Sequence, residues 1–230
     1  MNSGFSRRLS PLVVPIAISA AMVFSLAAQS KSGAGKADLT GIYEAVPLTT
    51  AIPGGLKGSG TLADIELKPD AAKEAKARNL EDDPAKNCQV IGPFRMMARD
   101  DNKIEVVTSP DRINIMFENN ALGNMRQIFT SRKHLEKMEP TWMGDSVGSW
   151  DGDTLVVDAV GFNERIWLND AGAPHSPKLH LTERYRLVDG GKFLEYKVTT
   201  EDPEALVKPY TYTRYYRKTD VEFKEDFCGR

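Results

Sequence analysis

L-H-L-T-E-R-Y-R-L-V-D-G-G-K-F-L-E-Y-K-V-T-T, from Leu179 to Thr200, holds two runs in which apolar and polar residues alternate. Alternation of that kind has the period of a strand with one buried face. Between the runs stands Asp189-Gly190-Gly191, a combination that turns the chain back on itself. The stretch reads as an antiparallel hairpin, and the same grammar recurs on both sides of it.

Upstream, Lys103 to Thr108, Arg112 to Glu118 and Asn124 to Thr130 alternate at close spacing, with Ser109-Pro110-Asp111 between the first two. Thr61 to Lys68 alternates as well. Asp153 to Val160 is a compact run behind the turn Asp151-Gly152, and Tyr210 to Arg217 follows downstream. Hairpins in succession predict roughly eight to ten meandering strands, all-β, closed into an antiparallel barrel or bent into a strongly curved sheet. One short helix is predicted from Pro69 to Asn79, opened by Pro69 and Asp70 and braced by Glu74 and Arg78 at i,i+4. Val46 to Gly60, Asp82 to Arg95 and Asn163 to Lys178 read as ordered loops. No internal repeat is visible, and there is no G-x-G-x-x-G, P-loop or G-x-S-x-G.

At 230 residues and 41% apolar content the chain suits one domain with a real core. Its 30 basic and 32 acidic residues are scattered without a polybasic run, which argues against nucleic acid or an anionic membrane surface as partner. The N-terminus differs from the rest. Arg7 and Arg8 lead into an apolar run that ends in small residues near Ala28, the layout of a secretory signal peptide over residues 1–28. A membrane anchor is the competing reading, opposed by Pro11, Pro15 and the small-residue exit. Residues 29–38 suit a flexible leader and 39–230 a single β-rich domain, so the expected location is periplasmic or secreted, with no membrane span once the signal is removed. Export gives meaning to the two cysteines, Cys88 and Cys228, as one disulfide. Two buried thiols are the alternative.

Several residues invite chemistry. Asp151 and Asp153 fit the turn they flank, whereas Asp158 sits in L-V-V-D-A-V on the face of Val156 and Val160, where a carboxylate needs a partner. Two of the three histidines, His175 and His180, lie close together, followed by Glu183. His175 falls in a loop where a barrel mouth is expected, suited to a general acid or base. His180 and Glu183 are three apart on one strand and face opposite sides, and H-x4-H-x2-E is not a zinc spacing, so no metal is expected. Glu183 shares a face with Leu181 and Tyr185, which points it inward, as a site carboxylate or as the buried partner of an arginine such as Arg126. Tyr210, Tyr212, Arg214 and Tyr216 share a face that could line a ligand cavity. Trp142, Trp150 and Trp167 either rim its mouth or staple loops.

The runs T-W-M-G-D-S-V-G-S-W-D-G-D-T-L-V-V-D-A-V-G-F-N, W-L-N-D-A-G-A-P-H-S-P-K-L-H-L-T-E-R-Y-R and L-E-Y-K-V-T-T-E-D-P resemble a poorly characterised family of exported bacterial proteins. The resemblance covers roughly Gly92 to Tyr216. Asp151 stands where that family commonly has glutamate, and S-R-K-H-L, containing His134, stands where it often shows D-G-R-x-H-P. It implies export and a β-rich, lipocalin-like shape, and no activity.

Two functions follow from these residues. In the first, the chain is a cofactor-independent enzyme of lyase, hydratase or isomerase type, acting on a small aromatic, terpenoid or sugar-derived substrate in a barrel cavity. His175 serves as acid or base, Asp158 or Glu183 orients it, and Arg126 or a tyrosine steadies developing negative charge. Tyr212, Tyr216, Trp150, Trp167 and His180 then contact the substrate. In the second, the barrel is a non-catalytic carrier of a small hydrophobic ligand. A structural role with a filled barrel is the remaining possibility.

Overall fold

The computed structural model describes residues 35–118 and 125–224, together with Met1. The expected signal sequence beyond Met1, most of the leader, and Cys228 with its pairing to Cys88 lie outside the described residues.

Nine strands close into a barrel: β1 (Gly41–Ala45), β2 (Lys103–Thr108), β3 (Arg112–Phe117), β4 (Met125–Phe129), β5 (Asp145–Asp151), β6 (Thr154–Val160), β7 (His180–Val188), β8 (Phe193–Glu201) and β9 (Tyr210–Thr219). Each strand pairs with the next in sequence, and β9 returns to pair with β1. The predicted hairpin is β7–β8, in register from His180↔Glu201 to Val188↔Phe193, with Asp189 and Gly190 at positive φ in the turn. The all-β barrel therefore stands.

Every pairing is antiparallel except one. β4 and β5 run parallel, joined only through Ile128↔Ser146 and Phe129↔Val147. The all-antiparallel expectation fails at this joint. A parallel pair cannot be linked by a tight turn, so the chain crosses over through residues 130–144. Thr141 and Phe162 bridge the crossover to the segment after β6, with Thr141 N–H donating to the Gly161 carbonyl.

Other departures are local. Thr61 to Lys68 is not a strand. Asp64 accepts hydrogen bonds from the Thr61 N–H and hydroxyl, and the resulting capping box starts a 3-10 turn at Leu62–Asp64. β5 was hidden because D-S-V-G-S-W-D places Ser146 and Gly148 inward instead of large apolar residues. β1 is only five residues long. The helix α1 spans Pro69–Ala77, and Glu74 accepts from Arg78 as expected. A second helix, α2 (Gly92–Met96), forms where a loop was predicted, with Gly92 at φ +75° and Pro93 in the first turn.

The core is the barrel interior. Tyr43, Ile104, Ile115, Ile128, Leu155, Val157, Leu181, Tyr185, Leu194, Tyr196 and Val198 all project inward and are buried. Helix α2 and the turn after it close one end. Tyr212 Oη donates to the Phe94 carbonyl (2.5 Å), Tyr216 Oη to that of Met97 (2.8 Å) and Arg214 Nε to that of Ala98 (3.1 Å). The polar face of β9 thus satisfies carbonyls at the end of α2, where the helix itself has no donors left.

Candidate functional site

Three places gather the residues singled out by sequence. The first is the centre of the barrel. Arg126 on β4 meets Glu183 on β7 through two parallel hydrogen bonds, Nη1–Oε1 at 2.7 Å and Nη2–Oε2 at 2.5 Å. Tyr196 Oη donates to Glu183 Oε1 at 2.7 Å, Tyr185 Oη reaches the same oxygen at 3.2 Å, and Arg126 Nη2 also donates to Ser146 Oγ at 2.9 Å. The pair's side chains are 1% and 0% exposed. Burial works against the guanidinium charge, but the Glu183 carboxylate more than offsets it and holds the Arg126 pKa above its ordinary value. Burial, reinforced by Glu183, pushes the phenols of Tyr185 and Tyr196 well above theirs. Both oxygens of Glu183 are taken and no solvent reaches them. The cluster is a saturated structural network, and Glu183 and Arg126 hold no free proton-transfer position in this state.

The loop histidine is likewise committed. His175 is buried, with Nδ1 2.8 Å from the Ser176 carbonyl and Nε2 3.0 Å from that of Asn163. It ties the segment after β6 to the one before β7, and neither Asp158 nor Glu183 bonds to it. Trp167 is buried under the Arg78 guanidinium, 5.1 Å away, and staples its loop to α1. Trp150 is half-buried at the end of β5 and lines an open groove with Thr108 and Pro110. Tyr212 and Tyr216 lie inside the barrel with their hydroxyls spent on α2 carbonyls.

The second place is the outer face of β5, β6 and β7, and it was not expected. Asp158 projects outward from β6, half exposed. His134, delivered by the crossover, places Nε2 2.9 Å from Asp158 Oδ1 and Nδ1 2.8 Å from Asp145 Oδ2. His180, from β7, places Nε2 3.0 Å from Asp158 Oδ2, and its Nδ1 lies 3.6 Å from Glu201 Oε2. Five side chains from five segments, β5, the crossover, β6, β7 and β8, therefore run in one line, Asp145–His134–Asp158–His180–Glu201. Asp145 anchors it. Burial raises its pKa, but hydrogen bonds from Arg132, His134 and the Leu135 N–H bring it down to about 2. The role of His134 could not be read from sequence because the carboxylates it joins are contributed by strands that follow it.

The two histidines differ in one respect. Both nitrogens of His134 are within hydrogen-bonding distance of carboxylates. His180 has one such bond, and its Nδ1 is directed toward Glu201 beyond hydrogen-bonding reach. His180 and Glu201 line an open cleft of about 500 Å³ with Lys68, Lys178, Lys208 and Leu206. Lys178 and Lys208 pair with Glu204 and Glu66, whereas among the described residues Lys68 donates only to the Pro203 carbonyl, at 2.6 Å.

The third place is a cleft at the α2 end of the barrel, of about 330 Å³, lined by Leu62, Ala63, Arg95, Ala98, Ala171 and Arg214 among others. Arg95 is buried there and bonded to Asp83 and Asp170.

No protein-family model and no curated protein sequence matches the chain.

Proposed function

We propose that the chain is an exported, cofactor-independent enzyme that moves protons on a small substrate in the cleft beside His180, with lyase or isomerase chemistry as the outcome. The observation that carries this reading is the Asp158–His180 pair. A carboxylate fixes one ring nitrogen while the other faces a cleft that also presents a second carboxylate, Glu201. This is the arrangement a general acid–base pair needs. Asp158 orients the imidazole and balances its charge, and His134 with Asp145 holds Asp158 in place.

Lys68, which meets no carboxylate among the described residues, favours an acidic substrate at the cleft, such as a sugar-derived or aromatic acid. In the step so defined, the C–H bond next to the carboxylate breaks and its proton passes to His180 Nδ1. The electron pair moves into the carboxylate as an enolate, steadied by Lys68. Return of the proton to carbon gives an isomerase. Departure of a β-substituent, protonated by the His180 imidazolium that holds the abstracted proton, gives a lyase. The substrate belongs on the outside of the barrel in this reading, because the inner carboxylate Glu183 is already saturated by Arg126 and two tyrosines. The expected signal peptide supports a periplasmic or secreted location.

The test is exchange in deuterium oxide. Purified protein is incubated with a pool of small sugar acids and aromatic acids, and mass spectrometry follows deuterium uptake and product formation. Wild type is expected to label or convert at least one acid, and His180→Gln to lower that rate by about 100-fold or more. Conversion undiminished in His180→Gln would remove this site from the chemistry. A compound retained but never altered would favour the second reading, a lipocalin-like carrier, which the open cleft at the α2 end also supports.

A further inference from the structure

Arg214 carries a buried charge that no carboxylate meets at hydrogen-bonding distance among the described residues. Its side chain is 4% exposed. Its four hydrogen bonds all end on neutral main-chain carbonyls: Nε on Ala98, and Nη1 on Ser59, Gly60 and Thr213. Among the described residues the only ion-pairing approach is long, 3.9 Å between Nε and Asp100 Oδ1. Among the described residues Nη2 donates to no acceptor. The guanidinium lies over the Tyr212 ring at 4.8 Å and forms part of the wall of the α2-end cleft. Its neighbour Arg95 is equally buried but is fully answered by Asp83 and Asp170. Folded proteins rarely leave a desolvated cation short of negative charge, because the desolvation is not recovered from carbonyl dipoles alone.

We propose that this cleft is a binding site for a small organic acid. Its carboxylate takes Nη2 of Arg214, with Arg99 on the rim, and its apolar body lies against Leu62, Ala63, Ala98 and Ala171. A volume of about 330 Å³ sets the ligand at the size of one substituted ring. The acids nearby do not take Nη2: Asp170 is held by Arg95, Asp101 by Arg99, and the long approach of Asp100 is to Nε. The site lies apart from His180, which lines a different cleft, so the proposal does not depend on the catalytic reading.

Calorimetric titration of the purified protein with benzoate and cyclohexanecarboxylate tests it, with benzyl alcohol and cyclohexylmethanol as neutral isosteres and inorganic phosphate as a bare anion. The acids are expected to bind about tenfold or more tightly than the alcohols, as a charge-assisted hydrogen bond requires. Arg214→Gln is expected to erase that preference. Because Arg214 also fixes the turn after α2, Ala171→Trp provides a second arm. Ala171 is exposed, so this change leaves the fold in place and fills the cleft. It should abolish binding while His180→Gln leaves binding intact. Equal affinity for acids and alcohols, undiminished binding to Ala171→Trp, loss of binding in His180→Gln, or phosphate binding as tightly as the acids would each overturn the proposal, as would no binding of any acid.

Discussion

At the scale of single residues the governing fact is where charge is placed. The Arg126–Glu183 pair lies in the barrel centre with bidentate geometry and both carboxylate oxygens hydrogen-bonded. Removing one partner strands the other, so Arg126→Met or Glu183→Leu should each destabilise the protein by about 3–5 kcal/mol, while the double replacement recovers most of the loss. Urea unfolding of the two singles and the double measures this, and additive losses would contradict it. Asp145 makes a different statement. Its folded pKa of about 2 lies below the ordinary 3.8. Its contribution is therefore complete above pH 3.8 and is lost as pH falls through about 2. Melting temperatures should fall more steeply over that interval in wild type than in Asp145→Asn, and identical slopes would refute the assignment. Glu183 was legible because strand alternation fixes which way a side chain points, and Arg126 was the natural partner. The direction of Asp158 was not legible for a related reason: alternation places it on a face with Val156 and Val160 but does not say which face is inside, and the side chain points outward, half exposed, to its histidine partners.

At the scale of elements, strands announced themselves where inward residues were large and stayed hidden where they were small. β5 turns Ser146 and Gly148 inward, and its entry depends on Gly144 at φ +66°. A Cβ there would lie 2.6 Å from the Phe162 ring and 2.7 Å from the Val160 carbonyl. Gly144→Ala should cost about 1–3 kcal/mol in chemical denaturation, from backbone strain and steric overlap together. A neutral result would mean that the entry to β5 relaxes freely. The second helix was invisible for another reason. α2 is five residues long and is held from outside by Tyr212 and Tyr216 rather than by its own sequence pattern. Tyr216→Phe should cost about 1 kcal/mol and accelerate amide exchange at residues 94–98. Exchange unchanged there would show that α2 does not rely on this bond.

At the scale of the molecule the barrel is uneven around its circumference. The β7–β8 hairpin carries nine register pairs and the β4–β5 joint two. Amide exchange at native conditions should therefore be fastest along the β4–β5 seam and slowest along β7–β8, with the outer His134–Asp158 bond as a brace against opening at the seam. Uniform exchange around the barrel would show that other contacts carry the seam. The candidate site was only half legible from sequence at this scale. His180 and Asp158 were both singled out, but their meeting depends on strand neighbours, and His134 reaches them from the crossover between β4 and β5.

That crossover has a cause in counting. A ring of strands in which every neighbour runs opposite to the last can close only when the number is even. Nine is odd, so somewhere on the circumference two adjacent strands must run the same way, and in this protein the mismatch falls between β4 and β5. The chain must then travel the length of the barrel on its outside to begin β5, and His134 is a passenger on that journey. The odd strand count and the line of histidines and carboxylates are, in this sense, one decision. An eight- or ten-stranded relative closing by hairpins alone would have no such return path, and would need some other route to bring a histidine to the outward face of Asp158.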